Sequence, residues 1–238
     1  RINKLNSFKE LLPCAIYVGI PTLLVFTQPG LGTSLVYMAI FIGMTFVAGI
    51  RMRLVQIVAG AAVLLAPLGW FVLKEYQKQR ILVFLNPDID PFGSGYHIIQ
   101  SKIAIGSGMI LGKGLFGGTQ SQLNFLPENH TDFIFSVIGE ELGFIGCVIV
   151  LLLLFMLIYR SIRVAYSCND TFGMLLATGI GSMLTFEVLV NVGMTTGIMP
   201  VTGIPLPFIS YGVSALTTNM LSIGLLLNIA MQRKKYMF

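Results

Sequence analysis

Six stretches of this chain are apolar over nearly the length a helix needs to cross a lipid bilayer, and no other feature restricts its fold as severely. They run approximately over 11–28, 32–49, 54–73, 142–159, 172–198 and 204–231. Crossing about 30 Å of hydrocarbon at 1.5 Å per helical residue takes roughly 20 such positions. In lipid, backbone N–H and C=O groups have no water to bond, so each run is expected as a helix. The chain is 55% hydrophobic and 11% charged, against about 25% charged in a soluble domain. The expected fold is all-α: a polytopic transmembrane helix bundle of about six spans, forming a single membrane domain over 1–238. No charged head, short apolar core and cleavage site precede the first run, and the first residue is Arg1 rather than Met. The chain therefore reads as part of a longer protein.

The net charge of +5 does not indicate nucleic acid, because the basic residues do not form a patch between aromatics. They punctuate the apolar runs instead. Arg1, Lys4 and Lys9 precede the first, and Arg51 and Arg53 separate the second from the third. Arg160 and Arg163 follow the fourth, and Arg233, Lys234 and Lys235 follow the last. These groups, ten of the fifteen Lys and Arg residues, fall on one face of the membrane. By the positive-inside rule that face is cytoplasmic, which puts both termini inside and the segment from about 74 to 132 outside. Cys14 and Cys147 lie in apolar runs and Cys168 in a connection, so no disulfide framework is expected.

A connection as long as 74–132 usually carries function. Turn-forming stretches, Asn86-Pro87-Asp88 and Asp90-Pro91-Phe92-Gly93, alternate there with a semi-apolar piece, His97 to Leu111, suited to lying along or dipping into the membrane surface. Glycines 106, 108, 112, 114, 117 and 118 surround Lys113. The pattern is not a Walker A loop: Ser107 stands where its first glycine would be, Gly114 follows the lysine, and no strand precedes it. Two readings stay open, simple turn glycines or exposed N–H groups that receive an anion beside Lys113.

The sharpest constellation is Leu126-Pro127-Glu128-Asn129-His130-Thr131-Asp132-Phe133, directly before a long apolar run. Asn129 or Thr131 is expected to cap the helix, leaving Asp132 in or beside its first turn. The positive end of the helix favours an anion there, either the carboxylate itself or a phosphate. The plainer reading is an acidic cap without chemistry. His97 and His130 share no zinc-ligand spacing. Glu128, Asp132, Glu140 and Glu141 form an acidic series that suits a divalent cation, Mg²⁺ or Mn²⁺, beside a pyrophosphate; neutralisation by Lys or Arg is the equal alternative. Glu187 and Asn191, four apart on one helix face, are expected to line a cavity or to join helices. The segment Met199 to Pro207, with three prolines, is expected as a stiff outer connection able to wall a site.

Taken in chain order, several stretches resemble the SEDS family of shape, elongation, division and sporulation proteins, the RodA, FtsW and SpoVE group, with RodA nearest in wording. They are Gln28-Pro29-Gly30-Leu31-Gly32-Thr33, the block Tyr96 to Gly108, Gly118-Thr119-Gln120 and Phe125-Leu126-Pro127-Glu128. His130-Thr131-Asp132-Phe133-Ile134-Phe135, Pro200 to Pro207 and Ser210-Tyr211-Gly212 complete the series. The resemblance implies a peptidoglycan glycosyltransferase of the bacterial cytoplasmic membrane that polymerises lipid II into glycan strands at the outer face, here for elongation and cell shape. It implies lipid II and undecaprenyl-linked glycan as ligands and a class B penicillin-binding protein as partner. Such proteins have ten membrane helices, so this sequence resembles the carboxy-terminal part.

The resemblance assigns the catalytic carboxylate to Asp132. Substrate contacts are expected from Lys102, Lys113 and Arg80, which would offset charge on the leaving pyrophosphate, and from Glu128, His130, Gln120, Ser210 and Tyr211. Glu140 and Glu141 are further candidates for orienting the base or holding a cation. Two positions depart from the family pattern: Gly30 replaces an acid, and Val213 replaces a glycine. Two other functions fit the sequence, a flippase for the lipid-linked precursor and a scaffold for the penicillin-binding protein. The first is disfavoured by the lack of inverted repeats.

Overall fold

The computed structural model describes residues 8–28, 30–91, 93–123 and 125–234. Arg1, Lys4 and Lys235 of the charge argument, with Pro29 and Phe92 of the motifs, lie outside the described residues. Those described fold entirely into helices and connections. The helices are α1 (Phe8–Thr27), α2 (Leu31–Val47), α3 (Met52–Val72), α4 (Glu75–Leu85), α5 (Ser94–Ser107), α6 (Thr119–Gln122), α7 (Ile134–Tyr166), α8 (Thr171–Thr196) and α9 (Val213–Lys234), with a 3₁₀ turn at Pro87–Ile89. Among the described residues four helices, α1, α7, α8 and α9, are long and apolar enough to cross a membrane, and α2 is a shorter apolar helix. The chain is an all-helical, multi-pass membrane protein.

The structure refines the apolar pattern in two places. Helix α9 begins at Val213, so the apolar residues 204–212 are not helical. Pro205 and Pro207 interrupt regular hydrogen bonding there, and Ile204 and Leu206 are apolar because they are buried in protein. The stretch 74–132 is largely folded, containing α4, the 3₁₀ turn, α5 and α6. Helix α5 does not simply lie on a surface: Ile98, Ser101 and Ala104 are buried along one face.

The described residues fall into two compact units. The first takes α1 to α3, the end of α7, the first half of α8 and the end of α9. In it, Lys74 Nζ donates to the carbonyl of Thr27 (2.9 Å), satisfying an open group at the end of α1. Gly30 is the N-cap residue of α2 and offers no side-chain bond. The acid that the resemblance leads one to expect at this position would sit where Asp is among the best capping residues.

The second unit is Gln79–Arg160 with Leu184–Ile223. Its core joins Phe135, Cys147 and Leu154 of α7 to Val188 of α8 and Leu206, with a neighbouring cluster of Ala104, Leu126 and Phe133. Three helices meet at a buried polar point: Ser101 of α5 shares a 2.6 Å hydrogen bond with Ser136 of α7 and donates to the carbonyl of Thr195 in α8. Small hydroxyl side chains let helices approach closely while leaving no polar atom unpaired.

Helix α7 is broken at Gly143, where φ is 64° and ψ −164°, a conformation open to glycine. The backbone groups released by the break pair with the segment between α5 and α6. Phe144 and Ile145 N–H donate to the carbonyls of Met109 and Ile110, while Lys113 and Gly114 N–H donate to those of Glu140 and Glu141.

Candidate active site

Asp132 lies in the turn immediately before α7, whose first bonds run from Ser136 and Val137 N–H to the Phe133 carbonyl. The expected capping does not occur through the side chains named from sequence. Asn129 is buried and its amide donates to the Ser121 carbonyl, and the Thr131 hydroxyl donates back to Glu128 Oε2 (3.0 Å). The turn is closed by Thr131 and Phe133 N–H, both donating to the Glu128 carbonyl, with Glu128 held at φ 51° in the left-handed region.

Three further clamps fix this turn from the side. Asn191 of α8, fully buried, donates its amide to the carbonyls of Asp132 (3.0 Å) and Ile204 (2.8 Å). Ser210 donates to the Thr131 carbonyl (2.6 Å) and accepts from Leu206 N–H. Tyr211 N–H donates to the His130 carbonyl (2.8 Å), while the Tyr211 side chain is exposed. Asn191 was expected to line a cavity or to join helices; its amide instead ties α8 to two non-helical segments, the turn before α7 and the proline-rich connection.

The carboxylate of Asp132 is half-buried and its proton affinity is raised above the ordinary value of 3.8. Burial is the larger cause and the charge of Glu128 adds to it; Arg80 and His97 act in the opposite direction. Arg80 donates to the Val201 carbonyl (3.3 Å), so it and Asp132 both meet the proline-rich connection. His97 of α5 stacks on Phe133, ring centroids 5.9 Å apart and 10° from parallel. Gly203, at φ 73°, stands against the carboxylate: a Cβ there would lie 3.3 Å from Asp132 Oδ2. His97 Nδ1, Thr202 Oγ1 and Asn191 Oδ1 are buried without a hydrogen-bond partner among the described residues.

The structure thus brings together Asp132, Glu128, Arg80, His130, Ser210 and Tyr211, the last three through backbone or hydroxyl bonds around the turn. It places Lys113 elsewhere. The Lys113 ammonium is 2.8 Å from Glu140 Oε1 and donates to Thr119. Glu140, 0% exposed, also accepts from the N–H groups of Gln120 and Ser121 and from the Ser121 hydroxyl. The lysine of the glycine-rich loop is matched by the protein's own carboxylate, so Lys113 and Glu140 form an internal brace. Gln120 contributes its backbone to that brace. Glu141 meets Gln122 through its side chain. Lys102 is exposed and covers Gly197. Among the described residues, no group of three or more His, Cys, Asp or Glu side chains gathers to hold a metal ion.

Sequence reasoning missed Gly203 and the stacking of His97. The glycine followed from nothing but a three-proline segment, and His97 was weighed only as a metal ligand.

A half-buried acid, clamped at the head of a broken membrane helix by backbone-directed bonds, defines a class: multi-pass helical membrane proteins with a rigid carboxylate site in a reworked connection. A family model described as "Cell cycle protein", covering FtsW, RodA and SpoVE, matches residues 2–235, and the chain belongs to that family. It is 47% identical over 229 residues to the peptidoglycan glycosyltransferase MrdB of Escherichia coli K12, covering 96% of this chain and 62% of that protein. It is 51% identical over 162 residues to the peptidoglycan glycosyltransferase RodA of Treponema pallidum, covering 68% of this chain and 37% of that protein. Among solved structures it matches a chain from "Structural coordination of polymerization and crosslinking by a peptidoglycan synthase complex". That match has a TM-score of 0.79 and 33% identity, covering 98% of this chain and 64% of the other. The matches therefore span between 37% and 64% of the length of these relatives.

Proposed function

We propose that this chain carries the catalytic carboxylate of a peptidoglycan glycosyltransferase that polymerises lipid II, with Asp132 as general base. Family membership supports the reaction class, since the relatives MrdB and RodA bear that name. The observation that carries the role of Asp132 is its raised proton affinity on a turn with no slack. A carboxylate that holds its proton more firmly than a free aspartate is a stronger base, and the Asn191 and Ser210 clamps hold the backbone that carries it.

In the reaction, the hydroxyl oxygen of the acceptor sugar bonds to the anomeric carbon of the donor. The bond from that carbon to the lipid pyrophosphate breaks, and the hydroxyl proton passes to the Asp132 carboxylate. Gly203 leaves the space beside Oδ2 open for that hydroxyl. Arg80, whose charge reaches Asp132, is the cation we assign to the departing pyrophosphate, with exposed Lys102 as a second. Lys113 takes no part, being paired with Glu140. A divalent cation would be held by Glu128 and Asp132 only together with the pyrophosphate oxygens, an arrangement usual for Mg²⁺.

The site then faces the outer surface of the bacterial cytoplasmic membrane, with both ends of this chain on the cytoplasmic side, and a class B penicillin-binding protein is the partner that cross-links the product. A flippase for the same lipid is the rival. Supplying lipid II only to the outer leaflet of vesicles containing the complete protein separates the two. Glycan polymer is the expected result; lipid II transferred across the bilayer without polymer overturns the proposal.

A further inference from the structure

The segment between α5 and α6 carries an unusual surface. Met109 is 79% exposed, Ile110 65%, Leu111 79%, Leu115 70% and Phe116 81%. Five large apolar side chains within eight residues exceed what a water-facing loop tolerates without a partner. Between Lys102 and Glu128 the only charged residue is Lys113, and its charge is matched by buried Glu140.

The backbone is partly prepared for a dry setting. N–H groups of Gly108, Met109, Gly112, Lys113, Gly114 and Gly117 donate within the protein, and the carbonyls of Met109 and Ile110 accept from α7. Pairing of this kind lowers the cost of placing irregular backbone below the membrane surface. The segment is tied to α7 at residues 140–145, beyond the helix start at Ile134. At 1.5 Å per residue that is roughly 10–15 Å along the helix from its first turn. It is also continuous with exposed apolar side chains of α7, namely Phe144, Ile145, Val148, Ile149 and Leu152.

We propose that residues 109–116 are a re-entrant wedge immersed in the lipid leaflet on the Asp132 side, extending the lipid-facing surface of α7 and anchoring the segment that braces the break in α7. The occupant of this apolar surface is lipid. The chain has one tryptophan, Trp70, so Trp70→Phe gives a dark background for Phe116→Trp and, in a second protein, Leu111→Trp. Each is reconstituted into phosphatidylcholine–phosphatidylglycerol vesicles, with and without acyl chains brominated near the headgroup. Both probes should emit at short wavelength, lose about half their fluorescence to the brominated lipid, and sit about 5–10 Å below the headgroup boundary. Quenching by aqueous iodide with no effect of bromine overturns the proposal, because the wedge is then in water. Protection from both quenchers also overturns it, because a second protein surface then covers the segment. Neither outcome depends on the chemistry of Asp132, so failure here leaves the polymerase reading standing.

Discussion

At Asp132 the same physical cause serves chemistry and opposes stability. Burial and the charge of Glu128 raise its proton affinity, so polymerisation should fall as pH drops through that raised value, where the base becomes protonated. Glu128→Gln removes one of the influences that raise it, and the acid limb of the pH–rate profile should move to lower pH. Its failure to move would remove Glu128 from the electrostatics of the site. The linkage to folding has a definite sign. The folded state binds this proton more tightly than the unfolded chain, so the contribution to stability is present below the unfolded value and is lost as pH rises through the folded one. Asp132→Asn should therefore melt no lower than the native protein at neutral pH, as followed by thermal denaturation in detergent.

Asn191 illustrates what sequence shows at residue scale. Its spacing from Glu187 placed both on one helix face, but nothing in the spacing said that the amide reaches two carbonyls on separate segments. Asn191→Ala leaves those carbonyls without a donor in a buried setting and should destabilise the protein by about 1–3 kcal/mol. Denaturant unfolding in detergent measures it directly.

Among the elements, α7 and its brace show where reading the chain succeeded and where it did not. Apolar runs announced the long helices, because lipid and helix length impose a simple pattern. The same apolar content misled over 204–212, where Ile204 and Leu206 face protein rather than lipid. Gly143 sits inside a run whose hydrophobicity gives no sign of the break; only the partner segment 109–114, distant in sequence, makes it permissible. The glycines around Lys113 left two readings open, turn glycines or an anion site; glycine N–H groups there donate to backbone carbonyls, and the Lys113 ammonium meets Glu140. Glu140→Ala removes the acceptor for an ammonium, two backbone N–H groups and two hydroxyls, and should cost about 3–5 kcal/mol. Lys113→Met should cost less, since the other donors still hold the carboxylate. Equal losses from the two would contradict the brace. The two departures from the family pattern also read differently as elements. Gly30 is an N-cap lacking its side-chain acceptor, and exposed Val213 opens α9 in a conformation valine adopts readily.

For the whole molecule, the site lies inside one compact unit, which holds Asp132 together with Arg80, His97, Asn191 and Gly203. Family and helical membrane class were legible from motifs spread through the chain, and some motif residues clamp the turn, such as Ser210 with its bond to the Thr131 carbonyl. The measurement that bears most directly on the account is glycan synthesis by the complete protein carrying Asp132→Asn, reconstituted with lipid II. The account predicts normal insertion and polymer formation reduced at least about a hundredfold, the smaller end of what a positioned general base contributes. Polymer formed at the native rate by that variant would contradict it.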